Sequence, residues 1–213
     1  MYIVRNVHPG QPAYREVQQA VSQHYYRFYG ARPEPTPDQF LCLTELKESP
    51  PVHASTVHAC VGLSWGDSSK LFSEYYIDTN LTQQYGLSRR ELVEFGQFSS
   101  FGAKGAGRYL MVNAFRMLSQ HHYRYVLMTA TERVRGIMQA LQIDYDDLGC
   151  ARPSRVRDEH TEWGSYYNNS PRVVMAHLDG IAAQEALPPW QPQKGKGAHR
   201  CKRDAIRLAL PAA

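Results

Sequence analysis

Three glycines at 102, 105 and 107, in the run Gly102-Ala-Lys-Gly-Ala-Gly107, stand between a strand-like and a helix-like segment. Glycine tolerates positive φ and lets backbone approach a ligand, and free amides at a helix N-terminus attract anions. A pyrophosphate or a phosphopantetheine arm could rest there, with Lys104 and Arg108 adding positive charge. A tight strand-to-helix turn would ask for the same glycines, so spacing alone leaves both readings open. No Gly-Lys-Ser/Thr ends the run, so it is not a Walker loop. The first half of the chain also lacks the repeated βαβ pattern of a dinucleotide fold.

Glu94 lies in Val93-Glu-Phe-Gly-Gln-Phe, inside an expected strand. A buried carboxylate there needs a partner or a raised pKa, and either suits amine binding or proton transfer. The plainer alternative is a Glu facing water on a strand edge. Gly96 beside it opens the strand to a ligand or marks a bulge. Trp163-Gly-Ser-Tyr-Tyr sets Tyr166 and Tyr167 before a last strand, where a phenol could protonate a leaving thiolate or wall an acyl pocket. Such a cluster also serves as packing at a domain edge.

Other chemistries find little support. No G-x-S-x-G elbow occurs, and the nine histidines show no H-E-x-x-H spacing, so a metal site is not expected. His121 and His122 read as structural at a helix end. The four cysteines, at 42, 60, 150 and 201, form no C-x-x-C pair; Cys42 and Cys60 fall on expected strands as core residues.

The elements that must position these residues follow from periodicity. Residues 2–4 read as a strand, and Tyr14, Val17, Val21, Tyr25 and Phe28 mark a helix opened near Pro12 and closed at Gly30. Residues 32–38 hold three prolines and form a loop; 40–46 and 56–64 make an antiparallel pair. Segments at 71–77 and 92–98 follow, and then strand 92–98, the glycine loop, helix 108–121 and strand 125–129 compose a parallel βαβ unit. A helix at 132–141 and a strand at 172–178 complete an α/β domain over residues 1–187. The stretch 188–213 is rich in Pro, Gly, Lys and Arg and reads as a flexible basic tail.

Bulk properties agree with one folded domain: 213 residues, 43% hydrophobic and 21% charged. The net charge of +4 comes largely from Lys194, Lys196, Arg200, Lys202, Arg203 and Arg207 in the tail. No run approaches the roughly 20 apolar residues a membrane helix needs. With no export signal and scattered thiols, a cytoplasmic location is expected.

Four ordered runs carry a resemblance. They are Leu71-Phe-Ser-Glu-Tyr-Tyr-Ile-Asp, Leu92-Val-Glu-Phe-Gly-Gln-Phe, Met128-Thr-Ala-Thr-Glu-Arg-Val-Arg, and Trp163-Gly-Ser-Tyr-Tyr with Pro171 and Val173. Together they resemble the thermostable hemolysin family over residues 28–178. That family is similar to GNAT-type N-acyltransferases and acyl-homoserine-lactone synthases. The likeness implies a GNAT-like mixed central sheet, with antiparallel N-terminal strands, a C-terminal βαβ unit and helices on both faces, split where the donor lies. By that likeness Glu94 and Gln97 fall on the strand facing the acceptor, and Gly102 to Gly107 on the donor loop. Taken with the residues themselves, Glu94, Tyr166 and Tyr167 are expected to be catalytic, Gln97, Ser99 and Trp163 to meet the acceptor, and Gly102, Lys104, Gly105, Gly107 and Arg108 to meet the donor.

The segment after Phe98 does not reproduce the family's Arg/Gln-x-x-Gly-x-Gly/Ala signature, which leaves the donor open among CoA, a carrier protein and transfer RNA. The function so implied is acyl or aminoacyl transfer from an activated thioester or ester to a small-molecule amine, with no tightly bound cofactor. The basic tail could hold a carrier protein or transfer RNA by charge. The competing expectation is a membrane-active, hemolysin-like or lipid-binding protein without catalysis.

Overall fold

A computed structural model of the chain describes residues 2–45, 54–156, 162–179, 181, 190–191 and 206–209. Strand β1 (Tyr2–Val7) leads into helix α1 (Pro12–Tyr29), where Pro12 sacrifices no intrahelical bond and Gly30 closes the last turn at φ 68°. α1 lays Tyr14, Val17, Ala20 and Val21 against Phe40, Cys42 and Cys60 of the sheet.

The proline loop that follows is held by α1. Tyr14, Gln18 and Ser22 donate to the carbonyls of Pro37, Pro35 and Pro33 at 2.5, 2.7 and 2.5 Å. Four residues of helix and two of extended chain each advance about 6 Å, so the two rows stay in step.

The remaining strands are β2 (Gln39–Glu45), β3 (Ala54–Trp65), β4 (Leu92–Ser100), β5 (Tyr125–Ala130), β6 (Tyr145–Cys150), β7 (Arg172–His177) and β8 (Ile206–Ala209). They form one sheet in the order β1-β2-β3-β4-β5-β7-β6, with β8 paired to β3. Among the described residues, β4 and β5 are parallel and every other pair is antiparallel. Helices α2 (Leu81–Tyr85), α3 (Ala106–Gln120) and α4 (Glu132–Ala140) complete the regular elements. α3 connects the two parallel strands, as the βαβ reading expects. It buries Leu110, Met111, Ala114, Phe115 and Leu118 against Leu41, Val61, Phe95 and Val126. Cys42 and Cys60 face each other across β2 and β3 as buried free thiols, and burial pushes Cys42 up to about 12.

Three local features depart from the sequence reading. α3 begins at Ala106, so the last two residues of the expected loop form its first turn. Gly105 makes this possible at φ 83°, and Gly107 lets the helix close on β4, since a Cβ there would lie 2.9 Å from the Phe98 ring. Residues Phe72–Tyr76 wind as a 3-10 turn. Strand β6, Tyr-Asp-Asp-Leu-Gly-Cys, was not anticipated, because its acidic pattern, with no residue fully buried, is that of a protected edge strand.

Most of the basic tail, including Lys194, Lys196, Arg200, Lys202 and Arg203, lies outside the described residues. Of its described part, Trp190 is buried against Tyr2 and His58, and Ile206–Ala209 pairs with the start of β3.

Candidate active site

The parallel pair is short. Leu92, Val93 and Glu94 stand opposite Tyr125, Val126 and Leu127, and the pairing of β4 with β5 ends there. Beyond that point β4 stays with β3, through Gly96 opposite Gly62, while Met128 to Ala130 stay with β7. The two strands therefore part, leaving main-chain groups on their facing edges without a ladder partner.

Strand alternation places Glu94, Gly96, Leu127 and Thr129 on the face opposite α3. Gly96 is bare: a Cβ there would meet nothing within 4 Å. Gln97 adopts φ 51° where the β3 register shifts, a bulge that turns the strand aside. The buried Ser99 hydroxyl donates to the Gln97 carbonyl at 3.1 Å and so holds this bulge.

Glu94 is 6% exposed and already well supplied with donors. Its Oε2 accepts from the Phe72 amide at 2.7 Å, and its Oε1 from the Ser73 amide at 2.8 Å and the Ser73 hydroxyl at 2.5 Å. Burial raises its pKa above the usual carboxylate value, opposed by the bonds from Ser73 and Phe72. The Ser73 Oγ in turn lies 2.9 Å from Thr129 Oγ1. These contacts tie the 3-10 turn to the two strands at the point where they separate.

Around this point stand aromatic side chains. Tyr166 is buried, its ring 6.0 Å from Tyr25 and 5.4 Å from Tyr29 of α1, and its hydroxyl reaches the Thr129 carbonyl at 3.4 Å. Burial first, then the neighbouring tyrosines and Glu94, hold the Tyr166 phenol in its protonated form. Tyr167 bonds Tyr76 through their hydroxyls at 2.8 Å. Trp163 packs on Phe72 at 5.8 Å, with its buried indole N–H lacking a hydrogen-bond partner. A small cavity of about 40 Å³ follows the gap, lined by Gly96, Gln97, Thr129, Tyr166, Tyr25 and Tyr29 among others.

Of the acceptor-side residues expected from sequence, Gln97 and Tyr166 line this cavity. Glu94 stands one layer behind, beneath Ser73 and Thr129. Trp163 and Tyr167 pack around Tyr166, at 5.4 Å each.

The donor-side residues stand apart, where β4 runs into α3. Gly102, Lys104, Gly105 and Arg108 are exposed, and no acidic residue occupies the first turn of α3. The Ala106 amide donates to the Ala103 carbonyl at 3.1 Å, and the Gly107 and Arg108 amides that follow have no intrahelical acceptor, so the turn offers amides and a positive dipole end with two cations beside it. Gly105 also lies close to the Trp190 indole, 3.5 Å from where its Cβ would be.

Sequence reasoning missed Ser73 and Thr129, and took Tyr25 only as a helix-face residue. Both hydroxyl residues occur within the runs that carried the family resemblance, and that was the signal able to find them. Among the described residues no cluster of His, Cys, Asp and Glu could hold a metal ion, and no helix is long and apolar enough to cross a membrane.

The mixed sheet, with its parallel pair parting just beyond a buried carboxylate, is a GNAT-like α/β fold. The acyl-homoserine-lactone synthase LasI shares it with a TM-score of 0.56 at 13% identity, over 90% of this chain and 98% of that one. TofI in an apo form gives 0.52 at 10%, over 84% and 91%. BjaI, a CoA-dependent acyl-homoserine lactone synthase with SAM and isopentyl-CoA, gives 0.50 at 10%, over 86% and 89%. At these identities the likeness is one of fold. The thermostable hemolysin family model matches residues 7–181, and the chain belongs to that family. No curated protein matches it.

Proposed function

We propose that this chain is an acyltransferase that carries an acyl group from an activated thioester to a primary amine within the gap between β4 and β5. The observation that carries this reading is the end of parallel pairing at Glu94 and Leu127, with a buried carboxylate beside the opening. A thioester arm lying in the gap would find main-chain partners that a continuous sheet would have consumed. Backbone amides so placed can polarise its carbonyl.

Donor phosphates fit the first turn of α3, where Lys104 and Arg108 flank Gly105 and Gly107. The CoA-dependence of BjaI favours an acyl-CoA over other donors. The amine enters from the opposite face, over Gly96 and among Tyr25, Tyr29 and Tyr166. A separate groove of about 620 Å³, bounded by Phe72, Tyr75, Lys70 and Arg155, lies nearby, and the Phe72 ring that lines it packs on Trp163. Glu94 supplies the negative charge that an ammonium seeks, and Tyr166 stays protonated to serve the leaving thiolate.

Thiol release from straight-chain acyl-CoA thioesters, assayed with common amino acids and simple alkylamines as acceptors and followed by mass spectrometry of the amide, tests the proposal. Amide formation that depends on the chain is expected. Purified protein that makes no amide from any pair, and binds no acyl-CoA, overturns it.

A further inference from the structure

The hydrogen bonds behind Thr129 have a direction. Serine carries one hydroxyl hydrogen. With Glu94 ionised, the hydrogen of Ser73 goes to Oε1 at 2.5 Å, so the 2.9 Å bond between Ser73 and Thr129 must be donated by Thr129. The Thr129 oxygen then has only lone pairs left to offer, and Thr129 lines the cavity together with Gly96, whose surface is bare. A group placed there has to bring its own hydrogen. An amine or ammonium N–H satisfies this; a carbonyl or carboxylate does not.

We infer that Thr129 accepts the proton of the attacking amine and passes it through Ser73 to Glu94, a hydroxyl relay that rests on the acyl-transfer reading above. As the nitrogen forms its bond to the thioester carbon, its proton moves to Thr129 Oγ1. The Thr129 proton moves to Ser73 Oγ and the Ser73 proton to Glu94 Oε1. Glu94 ends as the neutral acid, which its burial favours. The carbon–sulfur bond breaks, the electron pair leaves on sulfur, and every hydrogen in the relay now points back toward the cavity. The same three groups can therefore return a proton to the thiolate. The amides of Phe72 and Ser73 hold the carboxylate in place throughout. Ser73 and Glu94 act through Thr129; Thr129 itself touches the amine.

Other ionisable groups near Glu94 are Glu74, which is paired with Arg89 at 2.5 Å, and the phenols of Tyr76 and Tyr166. Burial raises both phenols, so they stay protonated across the neutral range.

The test compares Thr129→Val, which keeps the shape and removes the hydroxyl, with Thr129→Ser, which keeps the hydroxyl, in the acyl-CoA and amine assay. At neutral pH kcat for Thr129→Val should fall roughly 100-fold, the scale of a lost general base, with KM for the thioester little changed. Its rate should recover in part as pH and buffer concentration rise, because a base from solution can take the nitrogen proton that Thr129 no longer accepts. Thr129→Ser should stay close to wild type. Wild-type turnover in Thr129→Val at neutral pH overturns the relay alone. Equal losses in both variants without alkaline recovery also overturn it, in favour of a packing role. No thiol release by the wild-type chain with any pair overturns acyl transfer, and the relay with it.

Discussion

The two sides of the parted strands are built on different principles. On the donor side, glycines shape the backbone into an exposed turn and helix start, and the charges of Lys104 and Arg108 face water. On the acceptor side most polar groups are joined, the Trp163 indole N–H and the Gln97 Oε1 being exceptions. Glu94, Ser73, Thr129, Tyr166, Tyr76 and Tyr167 bond one another or nearby backbone, and the side chains so joined lie 21 to 91 residues apart in sequence. A surface held by local backbone geometry tolerates change at its side chains. A buried network does not, because removing one member strands the others without partners.

The largest effect is therefore expected at Glu94. Glu94→Gln keeps the volume but turns an NH₂ toward one of the backbone or hydroxyl donors that now face carboxylate oxygens. Folding stability should fall by roughly 1–3 kcal/mol, the cost of an unsatisfied buried group, and turnover of the folded fraction by about 100-fold. Denaturant unfolding and turnover measured on one preparation check both. Unchanged turnover in the folded variant would remove Glu94 from the chemistry and leave it as a tie between the 3-10 turn and β4.

The donor side should answer differently. Lys104→Ala combined with Arg108→Ala removes two exposed charges, each worth up to about 1 kcal/mol to an anion at a helix start. KM for an acyl-CoA should rise by at most about thirtyfold and fade as a difference at high salt, with Tm unchanged. A fall in Tm as large as that of Glu94→Gln would erase the contrast between the sides.

The same contrast decides what could be read from the sequence. Three glycines within six residues are a local signal, and the strand, glycine loop and helix are visible in one window. The parallel pairing and the amphipathic α1 and α3 follow from the same kind of pattern. The partnership of Glu94 with residues 72 and 73 depends on a 3-10 turn that no periodicity announces, and that of Ser73 with Thr129 spans 56 residues. Strand β6 was hidden for another reason: its edge position selects Asp146 and Asp147, residues that β-propensity counts against a strand. Trp190 likewise sits in a stretch whose composition reads as tail, yet its ring is packed on Tyr2 and His58.

The smallest effect concerns His24, on the α1 face that approaches the acceptor side. Its ring lies 4.5 Å from Phe28 and 5.4 Å from Phe101. Burial, followed by the charges of Arg133 and Arg27, lowers its pKa from 6.5 to about 4, so it is neutral in the folded protein at pH 7. A base whose pKa is depressed on folding refuses a proton that the unfolded chain accepts. Its contribution to stability is therefore intact above pH 6.5 and is lost as pH falls from there toward about 4. His24→Phe keeps an aromatic ring against Phe28 and Phe101 and has no proton to refuse. Its Tm should match wild type near pH 7 and exceed it near pH 4.5, by a margin that grows as the solution is acidified. Part of the acid lability should survive in the variant, because burial also lowers the pKa of His58. Thermal unfolding of both proteins across that range checks this, and parallel Tm curves would show that water reaches His24 freely enough to protonate it without cost.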